Sequence, residues 1–241
     1  MTSESQVDIA LIYPGLLGTY GDRGNATVLA KRLQWRDIPA RVHTVEFEDD
    51  IPTSADVYVL GGAEDSAQIL AMDRLRASTA WRAVANRDVP VLAVCAGLQV
   101  LGGEFRTSDG KTHQGVGMLD VDTAPGQQRA VGELVTAANG LDGVDLLTGF
   151  ENHLGRSTVG ASAQPLGRVL DGIGNNDAVE GVRQGKVLGT YLHGPALARN
   201  PALADLLLSW AVGTELAPLE LDAVTNLRRK YLGRRQDPEK A

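Results

Sequence analysis

The chain contains a single cysteine, Cys95, so no disulfide can form within it. The first five residues (MTSES) lack the basic and then apolar layout of a signal peptide, and nothing else indicates export. No apolar run approaches the length of about 20 residues that a bilayer-spanning helix requires. We therefore expect a cytoplasmic protein that does not insert into a membrane.

Positive charge and metal-binding side chains are also scarce. The 23 Lys and Arg residues are outnumbered by 30 Asp and Glu, and the net charge of −7 disfavours binding to nucleic acid. One cysteine and four scattered histidines do not have the spacing of a zinc site. Residues 109–112 (DGKT) end like a phosphate-binding loop, but Phe105 stands where its first glycine belongs. We expect neither a metal nor a nucleotide cofactor in this chain.

Short apolar runs alternate with amphipathic stretches in the first half of the chain. Strands are predicted at residues 7–13, 41–46, 56–60 and 90–94, and helices at 25–35 and 66–86, the latter broken near Asp73. This alternation predicts an α/β fold whose central, mostly parallel sheet is flanked by helices.

The second half is richer in β-like segments. They lie at residues 115–123, 130–137, 178–183 and 186–192, and the last two flank Gln184-Gly185 as a hairpin would. Helices are predicted at 202–212 and, with basic character, at 222–235. We expect one domain over residues 1–215. Residues 216–241 would form a basic helix and tail that either belong to this domain or dock a partner.

The segment around Cys95 has the strongest chemical signal. An entirely apolar strand ends at this cysteine, and small residues follow as a helix begins, as in a nucleophile elbow. The amides at the start of that helix would favour the thiolate. A lone cysteine at the end of an apolar strand can also be a buried structural residue. The whole segment nevertheless favours a catalytic nucleophile.

Two further turns supply groups that a cysteine nucleophile would need. Gly61 and Gly62 end the third strand, where backbone amides can approach a substrate as an oxyanion hole, with the Ala96 amide as a second donor. An ordinary strand-to-helix turn is the alternative for these glycines. His193 leaves a strand into Gly-Pro and is our candidate general base, with His153 as its competitor.

Taken together, the Gly-Gly turn, the Cys-x-Gly-x-Gln elbow that includes Gln99 and the late histidine resemble the class I glutamine amidotransferases. Residues 11–25 and 149–156 are similar to the cobyric-acid-synthase-like subtype, and in particular to the glutaminase subunits of lipid II isoglutaminyl synthase. The resemblance implies a flavodoxin-like fold. It also implies that Cys95 and His193 catalyse glutamine hydrolysis and that Arg129 binds glutamine. We place Gly62, Ala96 and Gln99 with Arg129 among the substrate-binding residues.

The same resemblance implies a heterodimer. The ammonia would pass to a Mur-ligase-like subunit, which uses ATP and Mg²⁺ to amidate the D-glutamate α-carboxylate of lipid II to D-isoglutamine. Alternatives are an amidotransferase for another carboxylate, such as a cobyrinate, a stand-alone thiol hydrolase of the same superfamily, or a non-catalytic subunit that retains the fold. A thiol hydrolase often has histidine directly after the nucleophile, where this chain has Ala96.

The chain departs from the class I pattern after the histidine. Many members have His-x-Glu, but here His193 is followed by Gly194 and Pro195, so the usual orienting carboxylate is missing. The sequence leaves two possibilities open. Either a dyad catalyses the reaction, or another carboxylate orients the histidine, and the candidates are Asp22, Glu64, Glu104 and Glu151.

Overall fold

A computed structural model describes residues 6–219 and 221–235 of this chain, so the first five residues and the tail at 236–241 lie outside the described part. The strands are β1 (Val7–Ile12), β2 (Ala40–Val45), β3 (Val57–Leu60), β4 (Val91–Val94), β5 (Glu104–Arg106), β6 (Thr112–Gln114), β7 (Val121–Ala138), β8 (Leu146–Val159), β9 (Gly167–Asp171), β10 (Val179–Glu180), β11 (Val182–Gln184) and β12 (Val187–Thr190).

The helices alternate with the strands in the first half of the chain and close the second half. They are α1 (Gly24–Gln34), α2 (Asp65–Ala77), α3 (Thr79–Ala85), α4 (Ala96–Leu101), α5 (Ala196–Arg199), α6 (Pro201–Val212) and α7 (Asp222–Arg235). Within the described residues, none of them combines the length and hydropathy that a membrane-spanning helix needs.

The first sheet has the strand order β11-β12-β4-β3-β1-β2, and all its pairs are parallel except β11 with β12. Strands β3 and β4 are buried along their whole length because helices cover both faces of this sheet. Helix α1 packs with α5 and α6, while α2 contacts α3 and α4. The crossover from β1 to β2 runs toward one edge of this sheet, and the crossover from β3 to β4 runs toward the other edge. Because crossovers of this kind are right-handed, the two groups of helices lie on opposite faces. The predicted α/β fold is confirmed.

The second sheet is built around two long antiparallel strands, β7 and β8. The other edge of β7 pairs with β5 near its start and with β9 near its end, and β6 and β10 continue the sheet beyond these two strands. It abuts the first sheet where the backbones of Phe150 in β8 and His193, after β12, exchange hydrogen bonds of 2.8 and 3.2 Å. The β-rich second half therefore lies against the carboxyl end of β12.

Several predicted boundaries were wrong. The break in the helical region lies at Ser78 rather than near Asp73, because the Ser78 hydroxyl accepts the Trp81 amide and caps α3. Residues 115–120 form a loop rather than a strand, with Gly117 at a φ of 77°. The predicted strand at 178–183 is split at Gly181, whose φ is 63°. The hairpin across Gln184 and Gly185 is confirmed.

The Arg228 side chain bonds helix α7 to the rest of the chain. Arg228 donates to the carbonyls of Leu146 and Arg199 and to the Asn200 side chain, and burial lowers its pKa. This basic side chain therefore holds the helix in place and is not part of an open basic surface.

Candidate active site

Four neighbouring parallel strands deliver the candidate catalytic groups to one edge of the first sheet. Cys95 follows β4, the Gly-Gly turn follows β3, and His193 lies shortly after β12. Asp22 lies in the loop between β1 and α1. The order β12-β4-β3-β1 therefore gathers at one place residues that are up to 171 positions apart in the sequence.

Cys95 is held in a strained backbone conformation between β4 and α4. Its φ of 54° and ψ of −107° lie where non-glycine residues are rare, at a cost of ~1–3 kcal/mol. The Cys95 amide donates to the Thr190 carbonyl at 2.8 Å, which fixes the turn to β12. The elbow predicted from the sequence is therefore present, and its cysteine lines a cavity.

His193 is bonded to a buried carboxylate. Its Nδ1 lies 2.9 and 3.1 Å from the two carboxyl oxygens of Asp22, which is fully buried. The other ring nitrogen, Nε2, is buried and has no hydrogen-bond partner among the described residues, and Cys95 is close enough to the His193 ring to raise its pKa. A Cys95–His193–Asp22 triad results, so the open question about the third member is answered by Asp22 in this structure.

The other three candidate carboxylates have different partners. Glu151 bonds to His153, Glu64 accepts the Tyr20 hydroxyl, and Glu104 accepts the Gln114 side chain on the exposed hairpin of β5 and β6. None of these three bonds involves His193, which leaves Asp22 as its orienting partner among the described residues.

Protonation of His193 is favoured by its surroundings. Burial disfavours the charged ring, but the hydrogen bond with Asp22 and the interaction with Cys95 outweigh it and raise the pKa of His193 to about 10. The imidazole therefore holds a proton near neutral pH. In that state the ring can donate a proton to a leaving group.

Gly62 has a different role from the one predicted. Its amide donates to Asp22 Oδ2 at 2.9 Å, so this N–H orients the triad and is not directed at a substrate oxyanion. A Cβ at this position would come within 2.9 Å of the His193 ring and 3.2 Å of Tyr20. The glycine is therefore needed for the close approach of the triad. Ala63, the next residue, lines the cavity instead.

The Ala96 amide keeps the position expected of an oxyanion donor. Ala96 is the first residue of α4, so its N–H points out of the helix N-terminus and has no acceptor within the helix. It directly follows the nucleophile. A carbonyl carbon attacked by Cys95 would bring its oxygen to this end of the helix, where the helix dipole also favours negative charge.

The mouth of the cavity carries polar side chains from two strands and two loops. Arg129 of β7 donates to Asn152 of β8 at 2.7 Å, and both line the cavity with Cys95. Tyr20 covers His193, with 4.7 Å between the ring centroids, and its hydroxyl donates to Glu64. An exposed guanidinium beside a carboxylate and an amide oxygen is suited to the zwitterionic end of an amino acid.

Gln99 and His153 form part of the cavity wall. The Gln99 side chain donates to the Tyr191 hydroxyl at 3.0 Å, so one end of this predicted substrate-binding side chain is already engaged. His153 lies 2.9 Å from the Gly155 carbonyl through Nδ1 and 3.1 Å from Glu151 through Nε2. With both nitrogens occupied, His153 has no site for a proton from Cys95, which favours His193 as the catalytic histidine.

We expect Arg129→Ala to raise KM for glutamine about tenfold or more with a smaller change in kcat, because Arg129 lies at the cavity mouth rather than beside Cys95. Steady-state glutaminase kinetics would measure both constants. Arg168→Ala, on β9, is a matched control because Arg168 is absent from the cavity lining. An unchanged KM would remove Arg129 from the substrate site.

Comparison with known proteins agrees with this geometry. Residues 8–201 match the family model described as the CobB/CobQ-like glutamine amidotransferase domain. The chain belongs to this family. It is 34% identical to the Lipid II isoglutaminyl synthase (glutamine-hydrolyzing) subunit GatD of Staphylococcus aureus over 223 residues, which cover 90% of each protein. The protein of the same name from Streptococcus pneumoniae is also 34% identical, over 86% of this chain and 81% of the relative.

A more distant relative and two solved structures of similar fold also match this chain. The cobyric acid synthase of Azorhizobium caulinodans is 32% identical over 64% of this chain, which corresponds to 32% of that protein. A Thermotoga maritima glutamine amidotransferase has a TM-score of 0.53 at 14% identity and covers 95% of this chain and 94% of its own. The glutaminase domain of Trypanosoma brucei CTPS has the same TM-score and identity, with coverages of 88% and 96%. These two structures support the amidotransferase fold.

Sequence reasoning missed several residues of the site. Tyr20, Asn152 and Tyr191 were not singled out, although the first two lie in the segments 11–25 and 149–156 that carry the family resemblance. For Tyr20 and Asn152, the available signal was their position near Asp22 and His153 in those segments.

Proposed function

We propose that this chain hydrolyses L-glutamine to glutamate and ammonia, and that a partner subunit uses the ammonia to amidate a carboxylate. The observation that carries the proposal is the Cys95–His193–Asp22 triad at a cavity whose mouth holds Arg129. Membership of the glutamine amidotransferase family and the names of the GatD relatives support the choice of glutamine as substrate.

The first half-reaction forms a thioester. The Cys95 thiolate attacks the side-chain amide carbon of glutamine, and the Ala96 amide donates to the oxygen that becomes negative. The protonated His193 then gives its proton to the amide nitrogen. The carbon–nitrogen bond breaks, ammonia leaves, and His193 remains neutral with its Nδ1 still bonded to Asp22.

The second half-reaction restores the enzyme. Neutral His193 takes a proton from a water molecule as the water oxygen attacks the thioester carbon. The carbon–sulfur bond then breaks, and the electron pair returns to sulfur as thiolate while the carboxyl group loses its proton to solvent. Asp22 stabilises the imidazolium that forms again, and Gly62 keeps Asp22 in place through its amide.

The polar mouth of the cavity fits the α-amino acid end of glutamine. Arg129 can bind the α-carboxylate through two N–H groups, and Glu64 and Asn152 offer oxygen acceptors for the α-ammonium group. Because the α-carboxylate and the α-ammonium group are recognised far from the amide carbon, these contacts distinguish glutamine from a simple amide.

The acceptor is the part of the proposal that rests on the relatives alone. We assign to the partner the role of a Mur-ligase-like subunit that activates the D-glutamate α-carboxylate of lipid II with ATP and Mg²⁺. The word subunit in the GatD names, with 34% identity over 90% of the chain, supports a heterodimer. A cobyrinate acceptor is less favoured, since this chain spans about a third of the cobyric acid synthases it matches. The cytoplasm, where nucleotide is abundant, is the compartment that this pairing requires.

The division of labour can be tested with a serine variant. Cys95→Ser, co-purified with the Mur-ligase-like subunit of the same organism, should lose glutamine-dependent amidation of lipid II but keep amidation driven by a high ammonium concentration and ATP. Mass spectrometry of the lipid II stem peptide measures both. Since Cys95 acts only on glutamine, ammonium bypasses it.

Two results would contradict this division. If ammonium does not rescue the variant complex, Cys95 does more than supply nitrogen. If the wild-type chain alone amidates the acceptor with ATP, no partner is required. Cobyrinate offered in place of lipid II in the same assay tests the alternative acceptor.

A further inference from the structure

A second buried acid–histidine pair lies outside the triad. Glu151 and His153 are alternate residues of β8, and their side chains are 2% and 1% exposed. Their carboxyl oxygen and Nε2 are 3.1 Å apart. The mechanism above does not use this pair, although His153 lines the cavity that contains Cys95.

The surrounding hydrogen bonds determine how many protons His153 carries. Its Nδ1 faces the Gly155 carbonyl at 2.9 Å, and a carbonyl can only accept, so Nδ1 carries a proton. Its Nε2 faces Glu151, whose two oxygens also accept the amides of Ile173 and Gly174 at 2.8 Å. Burial disfavours the charged carboxylate, but the hydrogen bond with His153 and those with the two backbone amides outweigh it and lower the pKa of Glu151. An ionised Glu151 requires a donor at Nε2 as well.

The ring of His153 is in turn the support for Tyr191. The two rings stack with centroids 3.8 Å apart and planes 16° apart. The Tyr191 hydroxyl bonds to Gln99 at 3.0 Å and to Ser157 at 2.8 Å, and Tyr191 lies two residues before His193. A path of direct contacts therefore runs from Glu151 through His153 and Tyr191 to Gln99 in the cavity wall.

We propose that His153 is a positioning residue for glutamine, held as an imidazolium between Glu151 and the Gly155 carbonyl, and that it acts by fixing Tyr191 and thereby Gln99. The effect of His153 on activity rests on the proposed glutaminase function. The protonation state of His153 is independent of that function and can be measured without substrate.

The other ionisable groups near His153 are compatible with this state. Glu180 of β10 binds the Tyr191 amide, and burial, with a contribution from the charge of Glu151, raises the pKa of Glu180 to about 7. Burial likewise raises the pKa of Tyr191 to about 12, so the stacked phenol is neutral. Arg156 shares the Gly155 carbonyl, and Cys95 lies on the same cavity. Glu151 is therefore the anion in direct contact with the ring.

Nitrogen-15 NMR of the full-length chain labelled at its four histidines tests the protonation state. We expect both ring nitrogens of His153 to show the shifts of protonated nitrogens in the folded chain, because each faces an acceptor, with the signals assigned by their loss in His153→Gln. In Glu151→Gln one of them should become unprotonated, because the charge that holds the second proton is gone. A singly protonated His153 in the wild-type chain would overturn the proposal.

A double-mutant cycle on glutaminase activity tests the path to the cavity. His153→Gln and Tyr191→Phe should each lower kcat/KM by about 10- to 100-fold, mostly through KM, because a displaced wall misplaces glutamine. Since they break one path, the double variant should be little worse than either single one. For the Glu151→Gln variant of the NMR measurement, the matched control is Glu104→Gln, on the exposed β5–β6 hairpin.

The outcomes of the cycle separate this inference from the proposed function. Additive losses, or single variants with wild-type KM, would overturn the path from His153 to Gln99. A wild-type chain and complex without any glutaminase activity would refute the proposed function but leave the NMR result to decide the state of His153.

Discussion

Cys95→Ala is expected to abolish glutamine hydrolysis while the fold is retained. A methyl group cannot attack the amide carbon, and Cys95 is the cavity-lining thiol that adjoins the His193–Asp22 pair. Cys95 is buried in a turn that its backbone holds through the Thr190 carbonyl, and alanine keeps that hydrogen bond. Ammonia release from glutamine, with circular dichroism to verify folding, measures the effect.

Ala93→Ser provides a control for a small change in the same strand, since Ala93 is buried in β4 two residues before the nucleophile. This variant should lower the free energy of unfolding, because a hydroxyl is buried there, and should leave the rate of the chemical step unchanged. Glutaminase activity near the wild-type level in Cys95→Ala would refute the assignment of the nucleophile.

Loss of the base should have the second largest effect. His193→Ala is expected to lower kcat by about 10²–10⁴-fold, since both the acid for ammonia and the base for water are removed. Asp22→Asn should also lower kcat and move the alkaline limit of activity to lower pH. The reason is that Asp22 raises the pKa of His193, and activity that needs the protonated ring is lost as pH rises through that pKa.

The pH profile of kcat/KM distinguishes the triad from a dyad. A wild-type alkaline limit near pH 10 that falls in Asp22→Asn supports the triad, whereas identical profiles would indicate that backbone groups alone orient His193. Glu64→Gln removes a carboxylate from the same cavity without touching Nδ1, so it should leave the alkaline limit unchanged and alter KM.

The parallel sheet could be predicted because its inner strands β3 and β4 are apolar on both faces and helical stretches alternate with its strands. The second sheet was harder to predict, and the reason is visible in β8, for which no strand range was predicted. Its buried face carries Glu151, His153 and Ser157, while Phe150 on the opposite face is exposed. Apolar alternation is the signal for a half-buried strand, and here that signal is inverted. These polar residues can be buried because they have hydrogen-bond partners, Glu151 with His153 and Ser157 with Tyr191.

Cys95 and His193 could be predicted because each follows a strand with a recognisable turn. Asp22 could only be named as one of four candidates, since its contact with His193 spans 171 positions and depends on the order of the strands. Gly62 was assigned to the oxyanion hole because a glycine turn suits several roles. Only the geometry shows that its amide is directed at Asp22.

The most direct measurement is the covalent trapping of the nucleophile by an electrophilic glutamine analogue. Incubation of the wild-type chain with such an analogue, followed by proteolysis and peptide mass spectrometry, should show one adduct, on Cys95, whose formation glutamine slows. Arg129→Ala should form the same adduct more slowly, because the analogue is held less well. An adduct on another residue, or full glutaminase activity in the labelled protein, would contradict the account.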